Sequence, residues 1–141
     1  MRKQNQESTS NEIKERNLVT LKTLSLVNHL LTDAGIAYAL HTYKSSMIRY
    51  PYWIGEYTEG SPDDETGYRK STLILTGTTN STWSKLKAEK DVIEDLFRDR
   101  RAILDNGHTV AFFVENSLEI PTQLDTIKRI QLNITVMEWR K

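Results

Sequence analysis

Toward the C-terminal end, apolar and polar side chains alternate without a break. Ile130, Leu132, Ile134 and Val136 fall on one phase, Gln131, Asn133, Thr135 and Met137 on the other. A period of two is that of a β-strand with one buried face, so residues 129–139 are predicted as a strand whose apolar side enters a core. Its other side is polar without being densely charged, which suits water or the surface of another subunit better than a second hydrophobic layer. The rest of the chain divides into strands to pair with it and helices to cover it.

Leu18, Leu21, Leu24, Val27, Leu30 and Leu31 recur at three- and four-residue steps, the spacing of a helix that Gly35 would stop. A short strand is expected over 37–43 and a second over 47–57, whose centre is the aromatic run Tyr50-Pro51-Tyr52-Trp53-Ile54-Gly55-Glu56-Tyr57. Pro51 cannot donate to a ladder, which favours an edge or a bulge there. Residues 58–68 combine Gly60, Pro62 and Gly67 with Glu59, Asp63, Asp64 and Glu65, the chemistry of a mobile acidic hairpin arm. A strand follows over 69–77, with Leu73 and Leu75 on one phase. Ser81 or Thr82 then caps a long helix marked by Trp83, Leu86, Ile93, Leu96, Phe97, Ile103 and Leu104, expected to reach the Asp105-Asn106-Gly107 stop. Residues 109–115 are apolar on both phases and are expected as a central strand, and 116–126 as a loop.

The predicted order is α-β-β-β-α-β-β. This is an α+β fold: one mixed, mainly antiparallel sheet of about five strands, covered by two main helices. Residues 1–17 contain one aliphatic side chain besides Met1, too little to bury, and are expected to be a flexible extension to a single domain over 18–141.

Composition narrows the function. Lys plus Arg (19) equals Asp plus Glu (19), so no global basic field draws the chain to nucleic acid. The absence of cysteine excludes disulfides and thiolate metal sites and fits a cytosolic product. No run approaches the ~18 apolar residues of a membrane span, and the polar start does not resemble a signal peptide. His29, His41 and His108 lack the spacing of a metal site, the acidic arm lacks a calcium-loop pattern, and no phosphate-binding or nucleophile motif occurs. No catalytic residue, metal or cofactor is expected.

Three groups remain as candidates. Arg69, Lys70, Arg98 and Arg101 could face phosphate, although cations at the end of the second helix also complement its dipole and Arg69 and Lys70 could pair with the arm. Glu59, Asp63, Asp64 and Glu65 form the candidate arm. Tyr50, Tyr52, Trp53 and Tyr57 are either core or subunit interface, where Tyr and Trp are enriched; Gln131, Asn133 and Thr135 join them as interface candidates.

The aromatic run, Leu73-Ile74-Leu75-Thr76-Gly77, Trp83, Ile120-Pro121-Thr122 and the final strand through Trp139 together resemble, in order and spacing, small neck and tail-completion proteins of phages and prophages of Gram-positive bacteria. The order of elements is also similar to the tail-terminator proteins of long-tailed phages. The resemblance implies a virion structural protein, also described as minor capsid, made in the bacterial host's cytoplasm. It further implies a homo-oligomeric ring, typically a hexamer, that ends the tail tube and meets tail-tube and head-connector proteins while DNA passes through. The competing expectation is a monomeric adaptor or small-ligand-binding domain whose aromatic strand lines a pocket.

Overall fold

The computed structural model describes residues 21–42, 48–63, 67–105 and 107–139. The expected start of the first helix at Leu18, the extension 1–17, Asp64 and Glu65 of the arm, and Asn106 lie outside the described residues.

The alternating strand predicted from the sequence is β7 (Lys128–Trp139), and it is central. It pairs along its whole length with β4 (Tyr68–Thr79) on one side and β6 (Thr109–Ile120) on the other, both antiparallel. Beyond β4 lies β2 (Tyr52–Thr58), with the three-residue β1 (Tyr38–Leu40) parallel to it, and beyond β6 lies β5 (Arg101–Ile103). The path β1-β2-β4-β7-β6-β5 is joined by the two-residue β3 (Pro62–Asp63), which pairs with β4. The α+β class and element order stand, with β3 and β5 added to the five strands expected.

Two helices, α1 (21–33) and α2 (Trp83–Phe97), cover one face of the sheet. Gly35 ends α1 as the sequence predicts: at φ +79° its N–H bonds the Thr32 carbonyl (3.0 Å). Thr82 is the N-cap of α2, accepting from the Lys85 N–H at 3.3 Å. The inner face of the sheet contributes Trp53, Leu73, Leu75, Val110, Phe112, Ile130, Leu132, Ile134 and Val136 to one core, and the helices contribute Val27, Leu31, Leu86, Ile93 and Phe97.

The second helix is shorter than expected. Arg98 is already extended, although its N–H still reaches the Glu94 carbonyl, and Asp99 has φ +51°. Ile103 and Leu104 fit the helical stripe by spacing, yet they belong to a hairpin in which Leu104 donates to the His108 carbonyl (2.7 Å) and Gly107 turns at φ +85°. Asn-Gly between two short apolar runs is a hairpin signal as much as a helix stop. The final loop is shorter too. Strand β6 continues from Val114 through a register shift to Ile120, absorbing residues expected as coil. Pro51 stands just ahead of β2, which is second from the sheet's edge because β1 shields it.

Candidate interaction surface

The two-residue period divides the long strands β2, β4, β6 and β7 between an inner face, spent on the core and both described helices, and an outer face. Across the outer face the register sets Tyr52 beside Thr78 and Ile54 beside Thr76, then Thr76 beside Gln131 and Ile74 beside Asn133. Farther along, Met137 stands beside Lys70 and Trp139 beside Tyr68. The Tyr68 and Trp139 rings lie 5.6 Å apart, as do those of Tyr50 and Tyr52. Between these aromatic ends runs a polar strip whose side chains hold one another in place. The Gln131 amide donates to Asn133 (3.0 Å), the Asn133 amide to Asn116 (2.7 Å), and the Thr135 hydroxyl to Glu115 (2.8 Å). Amides fixed in this way present a defined pattern of donors and acceptors rather than a fluctuating one.

The proposed interface residues divide by phase. Tyr52, Gln131 and Asn133 are half-buried on the outer face, with Tyr50 against Tyr52, and Thr135 is buried beneath its bond to Glu115. Trp53 takes the core alternative: it is fully buried on the inner face, its indole N–H donating to Glu89 of α2 at 3.0 Å. Burial pushes the Glu89 carboxyl up, and the Trp53 hydrogen bond and the nearby Arg49 charge partly offset this. Tyr57 also points inward, and its hydroxyl donates to Glu138. Burial, reinforced by that carboxylate, pushes the phenol well above its ordinary range.

Glu138 matches no motif in the sequence. It continues the inner phase of β7 and is 2% exposed, accepting from Thr23 of α1 at 3.3 Å as well as from Tyr57. Its position on the apolar phase of a strand is the one sequence signal that could have found it.

The cations do not gather into a patch. Arg69 bonds Glu59 (2.9 Å), which realises the structural alternative weighed for it. Arg98 pairs with Asp95 (3.2 Å) at the end of α2, while Lys70 and Arg101 are exposed on the outer face at opposite ends of one cross-strand row. Of the arm, Glu59 is held by Arg69, and the backbone of Asp63 pairs with Tyr68 in β3. Among the described residues no group of three or more His, Cys, Asp or Glu is placed to hold a metal ion, and no helix is long and apolar enough to cross a membrane.

Two grooves follow one edge of the sheet. One, of about 380 Å³, lies between the end of α2 and β6 and includes Glu94, Arg98, Asp99, Val114, Glu115 and Ser117. The other, of about 290 Å³, lies between α1 and β5 and includes Lys22, His29 and Ile103.

No protein-family model and no curated protein matches this chain. A solved structure does. The fold is shared with a chain from the virion of a native gene transfer agent particle: 13% of residues are identical, the TM-score is 0.60, and the match covers 77% of this chain and 83% of that one.

Proposed function

We propose that this protein is a non-enzymatic structural component of a phage-like virion, a homo-oligomeric ring at the neck or tail end that terminates the tail tube and joins it to the head. The observation that carries this reading is the fold shared with a gene transfer agent virion chain over most of both chains. The residue pattern that resembles tail-completion proteins narrows it to the tail end. The outer face supports an assembly role. Its centre, on β4 and β7, bears Thr72, Ile74, Thr76, Gln131 and Asn133, and the ionisable groups beside it are Glu56, across from Ile74 on β2, and Lys70, across from Met137. Depletion of charge at the centre with aromatic residues and methionine nearby is the composition of interfaces. A zero formal net charge suits a channel through which DNA slides without sticking.

The adaptor reading needs a pocket on the aromatic strand. Trp53 fills the space over Gly77, and Tyr57 is tied to Glu138, so the inner side of that strand is packed.

Light scattering across a wide concentration range, with and without tail-tube protein, tests the proposal. A ring-sized species, alone or formed on the tube, is expected. A strict monomer indifferent to tube protein would overturn the tail-end assignment.

A further inference from the structure

We propose that copies of this chain join head to tail through opposite edges of the sheet, the outer edge of β6 in one copy pairing with the β1 edge of the next. The inference rests on the ring reading above and identifies its contact. Strand β5 covers β6 only from Thr109 to Ala111, with one further bond from the Phe112 N–H to the Arg100 carbonyl. From Phe113 to Ile120 no described strand lies beyond β6, and the groove under the end of α2 runs along part of this stretch. Phe112 lies across from Val136, and its N–H points away from β7. Leu132 has the same phase as Val136 and lies across from Ser117, so the Ser117 N–H also points outward. Unpaired outward groups on a long edge are a template for another strand.

Charge selects the occupant. Strand β6 carries Glu115 and Glu119 and no cation. Glu115 accepts from Thr135 and Glu119 is paired with Lys87 (2.9 Å); in the groove Glu94 is paired with Lys90 (3.2 Å) and Arg98 with Asp95 (3.2 Å), and Asp99 adds a further carboxylate. A second β6 edge would bring acid against acid, which disfavours a two-fold contact of this edge with itself. The other end of the sheet has the opposite character. Between Ala34 and Gly55 the sequence has no Asp or Glu; His41, directly after β1, is exposed, and so is Arg49, whose guanidinium reaches the Gly35 carbonyl ahead of β1 (3.4 Å) and lies near Glu89 of α2. Direction agrees as well. Strand β1 runs with β2, and three antiparallel steps lead from β2 to β6, so β1 and β6 run oppositely. An operator that continues the sheet therefore makes an antiparallel β6–β1 contact and keeps every outer face on one side. A heterologous contact of this kind closes into a ring when its rotation closes.

The test uses the full chain and two charge-swapped variants, Glu115→Lys with Glu119→Lys, and Thr42→Glu with Arg49→Glu, all at exposed positions. Each variant alone is expected to raise the dissociation constant of assembly at least about tenfold at low salt. An equimolar mixture of the two is expected to regain the wild-type mass by light scattering, because every contact then joins opposite charges. Ser117→Pro, which removes an outward N–H and leaves the β7 ladder whole, is expected to block assembly at an unchanged melting temperature. Variants that assemble like the wild type, or a mixture that restores nothing, would overturn the edge pairing while leaving the ring reading intact. A wild-type chain that stays monomeric with tail-tube protein would overturn both.

Discussion

Trp53 lies against a residue without a side chain. A Cβ on Gly77 would sit 2.6 Å from the indole ring, so the sheet accommodates its largest buried side chain only because β4 carries glycine directly across from it. Gly77→Ala is therefore expected to cost about 1–3 kcal/mol of stability, and Trp53→Ala about 3–5 kcal/mol. In the Trp53→Ala background the glycine substitution should cost little, because the ring it would strike is gone. Urea unfolding of the four proteins checks the coupling, and additive losses would refute it. The buried phenols give a pH dependence. Burial raises Tyr38 to about 12, and burial with the Glu138 bond raises Tyr57 further, while an unfolded tyrosine titrates near ~10. The folded state holds these protons more tightly, so the stability they contribute is full below about pH 10 and is lost as pH rises through the folded values. The urea midpoint should fall between about pH 10 and 12, and Tyr38→Phe should lessen that fall.

Among the elements, β3 depends on a close approach. A Cβ on Gly60 would lie 1.9 Å from the Lys70 carbonyl oxygen, and the Gly60 N–H reaches Ser71 Oγ at 3.3 Å, so the chain between β2 and β3 rests directly on β4. Gly60→Ala should speed amide exchange at Tyr68–Lys70 and leave the centre of β7, paired on both sides, unchanged; equal acceleration throughout would mean that β3 does not open on its own. At this scale much was legible. Long, strictly periodic stretches such as β7 and the Leu86–Phe97 part of α2 have a single phase that satisfies the core, and Gly35 and Thr82 announce their roles by type. Ile103 and Leu104 were misleading because two apolar residues satisfy either period, and the contact that decides between them comes from β6, which follows in the chain. Asn116 to Ile120 read as coil because β-pairing with β7, across a turn containing Pro121, overrides their weak strand pattern.

For the whole molecule, the outer face is where assembly and folding can be separated. Ile74 is half-buried at its centre, next to Asn133, and both described helices lie on the far side of the sheet. If a tail-tube or head protein seats on this face, Ile74→Arg should weaken that contact at least about tenfold while shifting the subunit's own unfolding by under about 1 kcal/mol. Titration against tube protein alongside thermal melting checks it, and a variant that binds normally would leave the edges as the assembly surfaces.

The class of fold, the order of its main elements and the amphipathic character of β7 follow from local periodicity and from residues with fixed conformational habits, and so are written in the chain. It also carried the acidic character of β6 and the acid-free stretch around β1, but as separate facts about distant segments. That Trp53 belongs to the core, that Glu138 is buried against Tyr57 and Thr23, and that those two segments lie toward opposite edges of one sheet become visible in the folded chain alone. Side-chain phase is local, whereas strand order and register depend on which segments of the chain pair with one another.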